Sequence, residues 1–440
     1  MREMKSSGVD WIGDIPVDWK AIPIKYNYEI IAGATPSSNI SEYWDGQINW
    51  ITPADFKTED IYVAKGNRRL TKLGYVSCST TMIPSGNIIF SKRAPIGTVA
   101  INAEKVCTNQ GCFGLIPKNK NINNKFYYYA ISVYPEVFNL FGSGTTFREI
   151  SAVAFGNIKL PFPNINTQKS ITVYLDNKCE RIDAIITDIQ SEIDTLEKYK
   201  RSVITEAVTQ GLDKNVEMKD SGIEWIGKIP YTWHVGRIKF YIDKVGSGKT
   251  PKGDENLYTQ GEILFLRSQN IFDTGIVLDE EPTVITDAID AEMANTRVLF
   301  GDVLLNITGG SIGRCCIYKF KNRANVNQHV CIIRTKKDKI LPAYMHYFWI
   351  SNLGQTAINL YQTGGNREGM SADAIKNTPI PIMSIQEQKD IVQHLDDKCS
   401  NIDIAVSQKQ NQLNILNNYK KSLIYEYVTG KKEVPSSWQN

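Results

Sequence analysis

A chain of 440 residues, 42% hydrophobic and 22% charged, is long enough for two cores of ordinary size and too evenly composed for wholesale disorder. No apolar run approaches the roughly 18 residues of a membrane span, and the polar stretch from Met1 to Trp11 lacks the apolar segment of a secretory signal, so no membrane partner and a cytoplasmic location are expected. A net charge of +3 excludes a polybasic nucleic-acid coat but leaves room for a reader whose basic residues gather on one face.

In chain order, the first landmark is Ser7-Gly8-Val9-Asp10-Trp11-Ile12-Gly13-Asp14-Ile15-Pro16, followed by Trp19 and the turn Gly33-Ala34-Thr35-Pro36. Short β-type runs at Gln47–Ile51, Asn87–Ser91 and Thr98–Ile101 come next, broken by Gly, Pro and Asn as in strand-rich domains. A helix is predicted near Lys125–Phe141, then a glycine-rich Gly142-Ser143-Gly144, then Pro161-Phe162-Pro163. From Ile171 the apolar residues step by four and three through Leu175, Cys179, Ile182, Ile186, Ile189, Ile193 and Leu196, with Val203 and Ala207 beyond. That is a coiled-coil seam.

The chain then repeats itself. Ser221-Gly222-Ile223-Glu224-Trp225-Ile226-Gly227-Lys228-Ile229-Pro230 and Trp233 restate the opening, and Gly248-Lys249-Thr250-Pro251 restates the turn. Ile312-Gly313 matches Ile96-Gly97, Asn327-Gln328 matches Asn109-Gln110, and Pro379-Ile380-Pro381 matches the earlier Pro-x-Pro. β-type runs recur at Glu262–Leu266, Asp302–Asn306 and Cys315–Tyr318, with a helix near Pro342–Tyr361. The second seam runs Leu395, Cys399, Ile402, Val406, Leu413, Leu416, Leu423, Tyr427. Ordered landmarks with small drifts in spacing are the behaviour of a tandem duplication.

The expected fold is therefore α+β: two mixed α/β domains in tandem repeat, separated by two long helices forming an antiparallel coiled coil. The boundaries are a first domain at 1–165, a first spacer helix at 166–212, a second domain at 213–384, and a second helix with a tail at 385–440. Lys200 and Lys420 occupy the same seam position, and Lys409 stands where Ile189 does; polar seam residues fix register and partner at some cost in stability. The plainer alternative packs each helix on its own domain. If they pair, the helices act as a spacer between two heads.

Catalytic motifs are not apparent. Val245-Gly246-Ser247-Gly248-Lys249-Thr250 imitates a phosphate loop, but Asp243 stands where its first glycine belongs and Pro251 follows; the first copy has no lysine there. No Pro-Pro pair occurs, which an adenine methyltransferase motif requires. Cys107/Cys112 and Cys315/Cys316 miss metal spacing, and His234, His329, His346 and His394 stand apart, so buried reduced thiols and no metal or cofactor on this chain are expected. The heads offer base-reading side chains instead, since Arg and Lys suit guanine edges or phosphates and Asn and Gln suit adenine. In the first copy these are Arg68, Arg69 and Lys72, then Lys92 and Arg93 after a strand, and Arg148 beyond the glycines. In the second they are Arg267, Gln269 and Asn270, then Asn306 and Thr308 before Gly309-Gly310, Arg314, and Asn366-Arg367 beside Gly364-Gly365. Taken alone, each reads first as a solvated surface residue. The turns repeat while these residues differ, as a reader of two unlike half-sites requires.

These features together resemble the specificity subunits of type I restriction-modification enzymes over essentially the whole chain. The resemblance is carried by the Trp11/Ile15-Pro16/Trp19 opening and its copy, the Gly-x-Thr-Pro turns and the Ile-Gly pairs. It is carried further by Pro379-Ile380-Pro381 with Gln386-Glu387-Gln388 and the helix ending Tyr419-Lys420-Lys421-Ser422-Leu423-Ile424. The first copy departs from the pattern at Thr167-Gln168, where the Glu is missing. The resemblance implies a non-catalytic subunit with two target-recognition domains on a bipartite, asymmetric double-stranded DNA site. It also implies two docked methyltransferase subunits carrying S-adenosylmethionine and, for restriction, motor-nuclease subunits. A methylation system without cleavage, or a coiled-coil scaffold with two ligand-binding heads, are the alternatives.

Overall fold

The computed structural model describes residues 2–57, 61–143, 148–251, 261–362 and 369–438. Asn366 and Arg367 lie outside the described residues, as do Gly144, Gly364 and Gly365. The chain forms two compact units, Met1–Ile189 with Asn411–Asn440, and Gln190–Gln410.

In the first unit the Ser7–Pro16 landmark folds as a hairpin pairing Met4–Ser6 with Asp14–Pro16. The strands expected from the β-type runs are present as Trp44–Ile51, Ile88–Ser91 and Val99–Asn102. Two sheets result. One has five strands in the order Tyr28–Ala32, Cys112–Pro117, Ile88–Ser91, Val99–Asn102, Tyr62–Val63; the other places Trp44–Ile51 between Cys107–Thr108 and Arg68–Leu70. The Pro-x-Pro strand Lys159–Phe162 pairs with Lys20–Pro23, which ties the end of the head back to its beginning. Stacked and edge-on rings of Phe90, Phe113, Phe138 and Phe155 fill the core.

The second unit repeats the plan. Met218–Asp220 pairs with Lys228–Pro230, and Pro379–Ile382 pairs with His234–Arg237. Its two sheets have four strands each, centred on Val303–Asn306 with Val330–Thr335, and on Ile263–Leu266 with Ala324–Val326. The helices expected near Lys125–Phe141 and Pro342–Tyr361 are each broken in two. The breaks have local causes: Pro135 opens a new helix, Pro135–Leu140, and the Ser351 hydroxyl accepts from the Gly354 amide to start Asn352–Tyr361.

The long helices are Ile165–Gln210 and Ile385–Val428. Each begins with a glutamine wholly buried for a structural reason. Gln168 donates to the Asn121 and Pro163 carbonyls and accepts from the Asn123 amide; Gln388 does the same with Lys339, Met383 and Leu341. Leu175, Cys179, Ile182, Ile189 and Ile193, and Leu395, Cys399, Ile402, Leu413, Leu423 and Tyr427, are buried; Ile186, Leu196, Val406 and Leu416 are half-buried.

The pairing is antiparallel within each unit. In the first, Lys420 near the end of the second helix reaches Asp183 early in the first, at 2.7 Å to one oxygen, and Tyr174 packs on Tyr427 with ring centroids 4.6 Å apart. In the second, Lys200 late in the first helix binds Asp403 early in the second at 2.6 and 2.7 Å, and Lys409 pairs with Glu192. Lys200 and Lys420 thus hold equivalent partners in the two copies, and Lys409 has no lysine counterpart. Equivalent tyrosines tie each head to its helix, Tyr129 to Asp176 and Tyr347 to Asp396.

Candidate DNA-reading loops

The duplicated turns do not lie apart; in each head they meet. Gly33 packs so closely on the Thr108–Asn109 backbone that a Cβ would stand 2.2 Å from the Thr108 oxygen, and Gly248 would stand 2.0 Å from that of Val326. The neighbouring amides, of Ala34 and Lys249, donate to those same two carbonyls. The Thr35 hydroxyl then donates to the Gln110 side-chain oxygen, and that of Thr250 to Gln328. Only glycine permits this approach, which is why Gly-x-Thr-Pro and Asn-Gln recur together.

In the first head the cluster continues from Gly111 to the Lys92 amide at 2.9 Å, and from the Lys92 carbonyl to the Ile150 amide at 3.0 Å. Arg93 and Glu149 face one another as an isolated bridge, with Arg93 Nε donating to Glu149 at 2.8 Å and Lys92 Nζ at 3.7 Å from the same carboxylate. The hydrogen bond from Arg93 holds the Glu149 carboxyl below its ordinary range. The Glu149 negative charge therefore persists from neutral pH into acid and is lost as pH falls through that lowered value, while Arg93 stays charged. Arg148, exposed, lies beside this bridge. Arg68 and Arg69 on the smaller sheet and Lys72 at the start of the helix Lys72–Val76 form a separate exposed patch, with the Arg68 guanidinium 3.4 Å from the Trp44 ring centroid. Among the described residues no hydrogen bond or ion pair joins the two patches.

The same scaffold in the second head carries other side chains. Thr308 stands where Arg93 does and bridges Gly369, and its hydroxyl meets His329 Nδ1 at 2.5 Å; Gln328 Nε2 lies 3.3 Å from the other ring nitrogen. The loop preceding Gly97 and Gly313 closes alike in both, with these glycines at φ 101° and 88° donating to the Ser91 and Asn306 carbonyls. Arg314 is exposed over the Phe272 ring, Gln269 is exposed, and Arg267 is half-buried with Asp279 at 3.9 Å.

Two expected readers are spent on the fold. Asn306 is fully buried and donates to the Ser268 carbonyl and Ser311 hydroxyl. Asn270 is 5% exposed, accepts from the Arg267 amide and donates to the Val277 carbonyl. Its counterpart Asp55 ties the Thr52 amide in the first head, so this position shapes the loop in both copies. Neither Asn presents a free edge to DNA. Conversely, Thr35, Gln110, Thr250 and Gln328 lie in the clusters but were legible only as landmarks, and His329 only as an isolated histidine; their pairing with variable loops was the available signal.

Seven of the eight cysteines are buried, and burial pushes Cys316 and Cys331 up to about 12. Among the described residues no group of His, Cys, Asp and Glu is placed to hold a metal, and no helix is long and apolar enough to cross a membrane.

Two heads with one loop scaffold and unlike side chains, each built onto a pair of antiparallel helices, define a duplicated recognition protein. The model of the type I restriction modification DNA specificity domain matches twice, over residues 16–195 and 230–414, and the chain belongs to that family. It is 32% identical to the MjaIX specificity subunit of Methanocaldococcus jannaschii over 59% of this chain and 60% of that relative. It is 22% identical to the MjaVIII specificity subunit of the same organism over 96% and 94%, and 24% identical to the Escherichia coli EcoBI specificity subunit over 77% and 71%. A chain solved in work on complex assembly and conformational transition of the type I R-M system shares the fold, with a TM-score of 0.70 at 14% identity over 95% of this chain and 99% of that one.

Proposed function

We propose that this chain is the non-catalytic specificity subunit of a type I complex and reads a bipartite, asymmetric DNA site. Each loop cluster reads one half. The observation that carries this is the cluster itself: backbone-to-backbone contacts are shared by both heads, while Lys92, Arg93 and Glu149 give way to Ile307, Thr308 and Gly369. Exposed basic and amide groups on fixed loops supply phosphate and base-edge contacts. Two methyltransferase subunits would dock on the helical regions and bring S-adenosylmethionine; motor-nuclease subunits would join for restriction.

The test is exchange of residues 20–160 for the first head of another family member, with modified bases sequenced in cells carrying the complex. One half of the methylated site changes and the other stays. Change in both halves, or methylation by the chain without its partners, contradicts the assignment.

A further inference from the structure

The two copies differ at one buried contact. In the second, Trp233 is 1% exposed and its indole Nε1 donates to the Glu387 carboxylate at 2.8 Å. In the first, Trp19 is equally buried, but the equivalent of Glu387 is Thr167, and Trp19 Nε1 finds no acceptor among the described residues. A buried donor without a partner costs free energy; the Trp11 and Trp349 indoles are also without one, but only Trp19 has a copy, Trp233, in which a carboxylate fills the place. Where the missing carboxylate would lie there is instead a cavity of about 390 Å³, lined by Trp19, Asn164, Thr167, Arg2, Lys432 and Glu433 among others.

We propose that this cavity is a carboxylate-binding site, filled from outside the chain in the place that Glu387 fills from within. Three features of the lining suit an anion. Trp19 lines the space, and its N–H is already desolvated. The cavity opens at the first turn of the 46-residue helix Ile165–Gln210, where Asn164 caps the Thr167 amide at 3.0 Å, and a helix start favours negative charge. The Arg2 guanidinium stands 5.4 Å from the Trp19 ring centroid, held by Asp18 at 2.8 Å and Glu433 at 3.6 Å. Lys432 is engaged by Glu426 at 2.7 Å. Glu433 is the one acid of the lining; it is turned to Arg2, is 61% exposed, and makes no bond to the indole. The second copy supplies the template: its helix start is capped likewise, by Ser384 on the Glu387 amide at 3.2 Å, with the carboxylate as part of the chain. The ligand is a carboxylate, whether a small free acid or the Glu or Asp side chain of a docked protein.

The test follows the Trp19 indole N–H by NMR in the full chain, selectively labelled with ¹⁵N-tryptophan and assigned with Trp19→Phe. Sodium acetate is titrated against sodium chloride at matched ionic strength. Acetate shifts the Trp19 resonance downfield and saturably, and Thr167→Glu places it downfield without acetate and abolishes the response. Glu433→Gln retains the response, and Glu387→Thr confers one on Trp233. Addition of the cognate methyltransferase subunit instead of acetate separates the sources: a shift that acetate competes assigns the ligand to the partner's acid, and none assigns it to a small acid. An unmoved wild-type resonance, or an equal response in Thr167→Glu, overturns the proposal.

Discussion

Asn306 Nδ2 donates to the Ser268 carbonyl inside the second head, whereas the Arg93 guanidinium stands half exposed against Glu149. Replacing each by Ala separates fold from reading. Asn306→Ala strands a buried carbonyl and costs about 1–3 kcal/mol of stability, with the recognised sequence unchanged. Arg93→Ala leaves stability within about 0.5 kcal/mol, and weakens binding by about 1–3 kcal/mol with relaxed preference at one base pair if the side chain reads a base. Denaturant unfolding and binding to a panel of single-base variants check both; a uniform loss over the panel reassigns Arg93 to phosphate. Both residues look alike in the sequence because each stands where a strand gives way to a turn, Asn306 at its last residue and Arg93 two residues beyond. What distinguishes them is what is packed on top, Ser268 with Ser311 enclosing one and a half-exposed Glu149 beside the other, and those partners come from elsewhere in the chain.

At the scale of the element, the seam combines two kinds of contact with different tasks. Leu395 is fully buried, and Leu395→Ala should cost about 2–5 kcal/mol. Lys200 and Asp403 are 20% and 46% exposed, so a double-mutant cycle on that pair should return only about 0.2–1 kcal/mol. Thermal or chemical unfolding of the four variants measures the contrast, and a coupling as large as the Leu395 loss would overturn it. The lysines then serve register more than stability. The helices were the most legible part of the chain, since a four-three apolar step sustained for about five heptads marks a long helix with one buried seam. The central strands were legible for the same reason of periodicity. The sheet orders were not: the parallel pairing of Leu264–Leu266 with Ala324–Val326 joins segments whose hydrophobic patterns carry no mark of one another.

For the molecule as a whole, the proposed spacing role of the helices makes a quantitative claim. A heptad inserted into both, after Ile189 and after Lys409, keeps the seam in register and lengthens each helix by about 10 Å. If the helices set the gap, the preferred spacer between half-sites grows by ~3 base pairs at ~3.4 Å each. Affinity falls even at the new optimum, because added base pairs also rotate one half-site around the duplex. Methylation of sites with fixed halves and varied spacers reads this directly. An optimum that stays at the original gap, with activity retained, assigns the spacing to the heads.

The division of the chain into units also fixes an order of completion during synthesis. Residues 190–410 are one uninterrupted stretch, whereas the other unit needs residues 411–440 to join residues 1–189. The head that leaves the ribosome first is therefore the last to be finished. Tyr174 and Leu175 wait for Tyr427 and Val428, and the hydroxyl contact between Tyr174 and Tyr427 closes a loop of 253 residues. Such distant closures are slow, and apolar surface left open in the meantime invites wrong partners. That exposure falls on the first head, while residues 190–410 can already close on themselves.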